Sequence, residues 1–450
     1  MKVLFSPIGG TDPISNFRDG AFLHICRHYK PDKVKFFMSK EIYAYHLKDN
    51  RYIYCLEKLG EKLNHKFNYE IIEKPEFTQV QDFDLCMSEF DKILLEIVKE
   101  SKKDDVIYLN ISSGTPAMKA ALLLKAVLLT GRSVISIQVS TPEKKMNYSI
   151  EDRTNYEVKE QWKANEDNEE NTENRCTVVE SATWRWEIQR ENIKKHINAY
   201  NYVAALDILD EAEYIDKTKL KKYLIAASDR LKLDIDSIKS KNKDLYDKWI
   251  PVKDNIEALN ILEYALAMDI KVKKEEYADF IRSISPILLD LYEIIIRAEF
   301  NIDVEDCVDN SNDKRTWNVD KVKNHDLLKT VKMNNKSLSG DIGNGNLYEI
   351  INILRKNKKF TIDLKLIETL RKIHNVERKM RNPAAHEIVS ITDEKIKIET
   401  GMKSREIFNA IKWLVDKFIF RDNKSQNTLW DSYNKMNKEI IKELDAIKYK

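Results

Sequence analysis

The first 140 residues alternate between two hydrophobic rhythms. Short apolar runs at Val3 to Phe5, Val34 to Met38, Tyr69 to Ile72, Val106 to Ile111 and Val134 to Val139 have the length and composition of strands. Between them lie helical patterns at Asp19 to Tyr29, from Lys40 onward, at Asp82 to Lys99 and at Thr115 to Thr130. In the third of these, Phe83, Phe90, Ile93, Leu94 and Ile97 fall on one helical face. Strands separated by helical crossovers predict a parallel sheet covered on both faces. This is a Rossmann-like α/β domain, whose ligands sit at the carboxyl ends of its strands.

The pattern then changes. Residues 157–176 are polar and rich in Glu and Asn, and they read as a linker or an exposed, fraying helix. From Ala182 onward helix follows helix, with no convincing run of strands. Trp186 to Tyr200, Val203 to Glu211, Leu220 to Leu231, Asn255 to Met268 and Tyr277 to Ala298 are examples. Leu364 to Met380, Ser404 to Phe420 and Leu429 to Ile447 continue the series. Asp303 to His325 reads as a long loop; its acidic positions and missing central Gly exclude an EF-hand. No internal repeat is visible. The expected organisation is an α/β domain over residues 1–155, a polar linker over 156–180 and an all-α region over 181–450.

With 42% hydrophobic residues among 450, the chain can bury two or three cores. Charged residues reach 33%, but the two signs nearly cancel at +2. No bulk field therefore announces a nucleic-acid partner, and any RNA contact must come from a local patch. The five cysteines are scattered and form no CxxC pair, which excludes a zinc knuckle or redox dithiol and fits a reducing cytoplasm. The N-terminal apolar run is too short for a signal peptide, and Ala120 to Thr130 is too short to span a bilayer. A cytoplasmic protein without a membrane partner is expected.

Chemistry concentrates at two places. Leu366, Leu370, Ile373, Val376 and Met380 form one apolar stripe that ends at Arg381-Asn382-Pro383-Ala384-Ala385-His386. Proline disfavours helical geometry at Asn382, while Asn is a good N-cap and Pro suits the first helical position. A second helix restarting at Pro383 would bring Arg381 and His386 to one mouth, whereas an unbroken helix would set them about 140° apart. Histidine can act as acid or base near neutral pH, arginine can fork onto phosphate oxygens, and Asn382 can orient either. The ribose 2′-hydroxyl supplies the nucleophile for RNA cleavage, so no metal is required. Similar Arg-to-His spacings occur at Arg18 to His24 and Arg190 to His196. Only the third has Asn after Arg and Ala before His.

The second place is a pair of loops after the first and fourth strands. These are Ser6-Pro7-Ile8-Gly9-Gly10-Thr11-Asp12-Pro13 and Asn110-Ile111-Ser112-Ser113-Gly114-Thr115-Pro116-Ala117-Met118-Lys119. Their glycines permit close backbone approach, and Ser112, Ser113 and Thr115 offer hydroxyls and N–H groups at a helix N-terminus, which suits phosphate. A plain capped turn, with Thr115 as N-cap and Pro116 behind it, is the alternative reading. Neither GxGxxG nor a Walker lysine motif is present, which disfavours an ordinary dinucleotide or nucleoside triphosphate.

These residues carry a resemblance. The tract from Arg381 to His386 resembles the catalytic motif of HEPN ribonucleases, and the N-terminal half resembles a CARF sensor domain. Together they resemble the CARF–HEPN ribonucleases associated with the type III-A (Csm) CRISPR effector complex. The resemblance covers nearly the whole chain, least clearly residues 215–360. It implies a homodimer that binds cyclic oligoadenylate across its two-fold axis, through Pro7, Gly9, Gly10, Thr11, Asp12, Asn110, Ser112, Ser113, Gly114, Thr115 and Pro116. It implies a composite HEPN centre using Arg381, Asn382 and His386 from each chain, with no metal or other cofactor. Single-stranded RNA would be cut to 2′,3′-cyclic phosphate and 5′-hydroxyl ends. Cyclic hexa-adenylate is the favoured activator over cyclic tetra-adenylate, made by the effector complex. The CARF site can also cut its activator slowly, with Thr115 and Asn110 placing the ribose hydroxyl and Asp12 a weaker candidate. Arg371, Lys372, Arg378 and Lys379 can line an RNA path or form a solvated helix face. Two rival readings are a toxin-like HEPN RNase indifferent to cyclic oligoadenylate and a non-catalytic CARF sensor.

Overall fold

The structure, a computed structural model, describes residues 1–129, 133–141, 155–179, 182–212, 215–311, 314–333, 336–386, 390–420 and 426–448. The chain divides into two compact units, one built on Met1–Gln189 and the other on Arg190–Lys448.

In the first unit, β1 (Lys2–Pro7) leads into a small hairpin, β2 (Ile14–Ser15) and β3 (Arg18–Asp19), then into α1 (Ala21–Tyr29) and β4 (Lys33–Ser39). α2 (Lys40–Asp49) and α3 (Arg51–Leu63) follow, divided by Asn50 at φ 53°, a conformation asparagine tolerates. The unit continues with β5 (Asn68–Lys74), α4 (Phe83–Glu100), β6 (Val106–Asn110), α5 (Pro116–Leu128) and β7 (Ser133–Val139). The sheet order is β5-β4-β1-β6-β7-β8, parallel except that β8 (Cys176–Val179) runs antiparallel to β7. Alternate residues feed opposite cores, as strand geometry requires. Leu4 and Phe36 pack with Phe22, Tyr52 and Leu56, while Phe5 and Phe37 pack with Phe90, Leu94 and Leu122. The chain leaves β1 for β4 and β5 on one side and returns to β6 and β7 on the other. β1 and β6 therefore flank the topological switch point, and both candidate activator loops leave their carboxyl ends.

The stretch expected as a linker is folded into this unit. It forms α6 (Val158–Lys163), a single 3₁₀ turn at Glu166–Asn168, and the edge strand β8. Its polar side chains are not solvating a free segment. Asn165 and Asp167 are buried and bonded to Asp19 and Arg18, so polar composition here marks an internal network.

α7 (Ala182–Asn198) runs across the division, and the second unit continues mainly helical: α8 (Tyr202–Glu211), α9 (Thr218–Leu231), α10 (Ile235–Lys241), α11 (Lys243–Trp249), α12 (Ile256–Lys273) and α13 (Tyr277–Phe300). α12 is apolar almost all round, as a central helix must be. It buries Glu263 against the fully buried Arg230, with Nε–Oε2 at 2.9 Å and Nη2–Oε1 at 2.7 Å. Ser432 accepts a further bond from the same guanidinium, and Tyr433 lies beneath it. The fork-on-fork geometry satisfies both charges, without which a buried pair would destabilise the fold.

The stretch Asp303 to His325 is not one long loop. β9 (Val308–Ser311) pairs with β10 (Lys314–Trp317), followed by α14 (Val319–Asn324). A hairpin of β11 (Lys332–Met333) and β12 (Lys336–Ser337) comes next, and β13 (Gly340–Asp341) joins β10. These strands are too short to display an alternating pattern. The Asp and Asn residues are caps: Asn318 accepts from the Asp320 and Lys321 amides at the start of α14. α15 (Asn344–Leu354), α16 (Leu364–His386), α17 (Asp393–Thr400), α18 (Ser404–Phe418), α19 (Gln426–Trp430) and α20 (Ser432–Asp445) complete the unit. Among the described residues no helix is long and apolar enough to cross a membrane.

Candidate functional site

The two loops of the first unit meet edge to edge. A Cβ on Gly9 would lie 2.6 Å from the Gly114 amide nitrogen, and Gly114 adopts φ +86°. Only glycine accepts both the contact and the conformation. Asn110 joins the loops beneath the surface. Its Nδ2 donates to Ser6 Oγ and Ser113 Oγ, each at 2.9 Å, and its Oδ1 accepts from the Ser112 amide at 2.9 Å. Asp12 does the same for the first loop, accepting from the amides of Gly9 at 2.9 Å and Phe22 at 3.3 Å. Burial pushes the Asp12 carboxyl up, against the lowering effect of those bonds.

The predicted loop residues thus divide by position. Pro7, Gly9, Asp12, Asn110 and Ser113 are buried; Gly10, Thr11 and Pro116 are exposed; Ser112, Gly114 and Thr115 lie between. Asn110 is fully buried and its amide shapes both loops, and Asp12 is buried likewise in the first. Thr115 caps α5, accepting from the Met118 amide at 3.3 Å and donating to the Val80 carbonyl at 2.5 Å. Thr11 and Ser112 open onto a cavity of about 270 Å³, whose wall also holds Asn16, Arg18, Lys119 and Arg175. Lys119 ends the second of the loops quoted from sequence; Asn16, Arg18 and Arg175 were not singled out as cavity residues. Arg18 stood out only as a spacing match to His24, and Arg175 lay in the supposed linker.

A buried charge network underlies that cavity. Asp19, His24 and Asp167 bring ligand atoms within 4.8 Å of one another, a spacing a cation could use. Three guanidinium groups already serve these carboxylates: Arg27 on Asp19 at 2.6 Å, Arg175 on Asp167 at 2.7 Å and Arg18 on Asp167 at 3.0 Å. His24 Nε2 accepts from the Arg175 amide at 3.0 Å. Arg18 and His24 are therefore structural partners of this network. Burial alone would raise both carboxyls. The His24 imidazole 3.7 Å from both, Arg27 on Asp19, and the Asp19 amide and nearby arginines on Asp167 outweigh it and hold both below the ordinary value of 3.8. A depressed folded-state pKa contributes stability that is present above the unfolded value and lost as pH falls through the folded one. The thermal stability of the full chain should therefore fall steeply below about pH 4. Asp167→Asn should flatten that limb of the profile, and an unchanged acid limb in this variant would contradict the assignment.

In the second unit, Leu366, Leu370, Ile373, Val376 and Met380 are buried, as the stripe predicts. The expected helix break at Pro383 does not occur. α16 runs unbroken from Leu364 to His386. Pro383 removes one helical donor, but Ala384 extends the buried stripe one turn beyond Met380, and Arg282 Nε bonds the Ala384 carbonyl at 2.7 Å. Packing and a carbonyl partner override the local preference. Arg381 and His386 consequently stand about 140° apart around the helix and about 7.5 Å apart along it. Arg381 is exposed, whereas the side chains of Asn382, Pro383, Ala385 and His386 lie outside the described residues.

Comparison with known proteins agrees along the chain. The Cas_Csm6 CARF domain model matches residues 68–176, the Csm6 6H domain model residues 179–231 and the Cas_Csm6 HEPN domain model residues 249–441. The CRISPR system endoribonuclease Csm6 of Mycobacterium tuberculosis is 30% identical over 98% of this chain and 99% of its own length. The Enterococcus italicus protein of the same name is 34% identical over 52% of this chain and 54% of its own. A solved structure of Enterococcus italicus Csm6 bound to cyclic hexa-2′-fluoro-hexa-dAMP superposes with a TM-score of 0.69 at 22% identity, covering 99% of this chain and 100% of that one. The three domain matches follow the α/β-then-helical order of the fold, and a full-length relative carries the activity in its name. The chain belongs to the Csm6 family of CRISPR endoribonucleases, with a CARF and a HEPN domain.

Proposed function

We propose that this endoribonuclease is switched on by cyclic oligoadenylate, with cyclic hexa-adenylate favoured over cyclic tetra-adenylate. The observation that carries the reading is the convergence of the Gly9 and Gly114 loops at the switch point of the CARF sheet, beside a cavity lined by Arg18, Lys119 and Arg175. Backbone amides, hydroxyls and guanidinium groups are what a ring of phosphodiesters requires. A structural neighbour held with a cyclic hexanucleotide analogue supports the choice of ring.

At the other end, Arg381, Asn382 and His386 form half of an RNase centre that a second copy completes. The unbroken α16 supports pairing, because one helix spreads Arg381 and His386 to different sides while two helices related by a two-fold axis can bring both kinds to one seam. Arg381 stabilises the charge developing on the phosphate, and His386 moves a proton to or from ribose oxygen. The 2′-hydroxyl attacks, leaving 2′,3′-cyclic phosphate and 5′-hydroxyl ends without a metal. Slow cutting of the activator falls to Thr115 and Asn110, the Thr115 hydroxyl leaving the Val80 carbonyl to do so.

The test is cleavage of a fluorescent single-stranded RNA by the full chain with cyclic tetra- or hexa-adenylate, with chelator throughout. Stimulation by the hexamer with cyclic-phosphate products is expected. Equal activity with no cyclic nucleotide would favour an unregulated RNase.

A further inference from the structure

One turn before Arg381 on α16 stands a carboxylate that the cleavage chemistry above does not use. Glu377 and Arg381 have the i,i+4 spacing at which helical side chains meet. Arg381 Nη1 lies 3.6 Å from Glu377 Oε1, with the arginine side chain 64% exposed and the glutamate only 8%. The same oxygen accepts a 2.7 Å bond from Ser285 Oγ on α13 and is approached at 3.4 Å by Asn344 Nδ2 at the start of α15. Asn344 also donates to the Ser285 carbonyl at 3.0 Å, so the two groups that hold Glu377 hold each other.

This differs from an ordinary surface ion pair. There, two mobile side chains order each other and gain little. Here one end is fixed by side chains from two further helices, and the mobile end is the exposed arginine. Ser285 and Asn344 are neutral, so the charge of the buried carboxylate is met by the Arg381 guanidinium, as a buried charge requires. An arginine meeting a phosphate with no anchor must first lose its rotamer freedom. We propose that Glu377 is a positioning residue for RNA cleavage. Clamped by Ser285 and Asn344, it holds Arg381 by Nη1 and directs the Nε–Nη2 edge, the fork suited to two phosphate oxygens, toward the scissile phosphate. Glu377 touches no substrate in this role. The inference rests on the reading of Arg381 as an RNase residue.

The experiment compares the wild-type full chain with Glu377→Gln, Ser285→Ala, Arg381→Ala and the Glu377→Gln/Arg381→Ala pair. Single-turnover RNA cleavage is measured at high protein concentration, with and without cyclic hexa-adenylate, alongside thermal unfolding. Glutamine keeps the acceptor for Ser285 but removes the charge. It should lower the cleavage rate constant about tenfold, with half-saturation by RNA within about twofold and an unchanged unfolding midpoint. Ser285→Ala should give the same pattern at about threefold, and it decides the matter if Glu377→Gln does not fold. In the Arg381→Ala background, Glu377→Gln should add no further loss. Wild-type rate in Glu377→Gln, or the same loss with and without Arg381, overturns the proposal. Inactive Arg381→Ala beside fully active Glu377→Gln overturns this inference alone. Fully active Arg381→Ala overturns both it and the site reading beneath it.

Discussion

Replacing His386 with alanine is expected to lower RNA cleavage by about 10²–10⁴-fold while leaving cyclic hexa-adenylate binding unchanged. The size follows from proton transfer. Attack by a ribose hydroxyl needs a base, departure of the 5′-oxygen needs an acid, and alanine supplies neither. The separation follows from the architecture, because His386 ends α16 in the Arg190–Lys448 unit, whereas the loops that meet at Gly9 and Gly114 belong to the Met1–Gln189 unit. Arg381→Ala should fall in a similar range, about 10²–10³-fold, since it removes a charge aimed at the transition state. Cleavage with cyclic hexa-adenylate and equilibrium binding of that ring, measured on one preparation, check both halves. Wild-type cleavage by the His386 variant would remove the site assignment. A matching loss of ring binding would show instead that the substitution disturbs the whole chain.

Much of this was legible in sequence because it depends on short-range pattern. Alternating apolar runs placed β1, β4 and β6; the glycines in the loops behind β1 and β6 read as room for a ligand, whereas Gly9 and Gly114 lie against each other. Most of the misses share one cause: a long-range partner that local composition does not reveal. The segment 156–180 is polar because Asn165, Asp167 and Arg175 bury their side chains against Asp19, His24 and Arg18, more than a hundred residues away. Pro383 reads locally as a helix start, yet α16 continues because Ala384 packs inward and Arg282 reaches its carbonyl from α13. Nothing in the local sequence sets Glu377 apart; Ser285 and Asn344 reach it from other helices. In the Asp- and Asn-rich stretch after Asp303, capping residues hid strands too short to show a period.

Gly9→Ala is expected to weaken the response to cyclic hexa-adenylate by about 100-fold. A methyl here would sit 2.6 Å from the Gly114 amide nitrogen, and the obstacle is backbone rather than the free end of a side chain. Gly114 cannot yield easily. Its own Cβ direction faces Met118 at 2.9 Å, and its neighbour Ser113 is bonded to Asn110 beneath. The loops must therefore part, and overpacking of this kind costs about 1–3 kcal/mol. Parting them also shifts the amides and hydroxyls that would meet the ring, and each charge-assisted bond lost is worth about 1.5–3 kcal/mol. One strained contact and one lost bond together come to about 2.5–6 kcal/mol, a range that includes the roughly 2.8 kcal/mol corresponding to 100-fold. Gly345→Ala, in α15 where an added Cβ meets nothing within 4 Å, is the control and should leave the response unchanged. The measurement is the concentration of cyclic hexa-adenylate giving half-maximal RNA cleavage. Cleavage in the absence of the ring should stay at its basal level in both variants, because neither substitution touches the Arg381 and His386 end of α16. A Gly9→Ala chain that responds at wild-type concentrations would mean that the junction of these loops does not receive the activator.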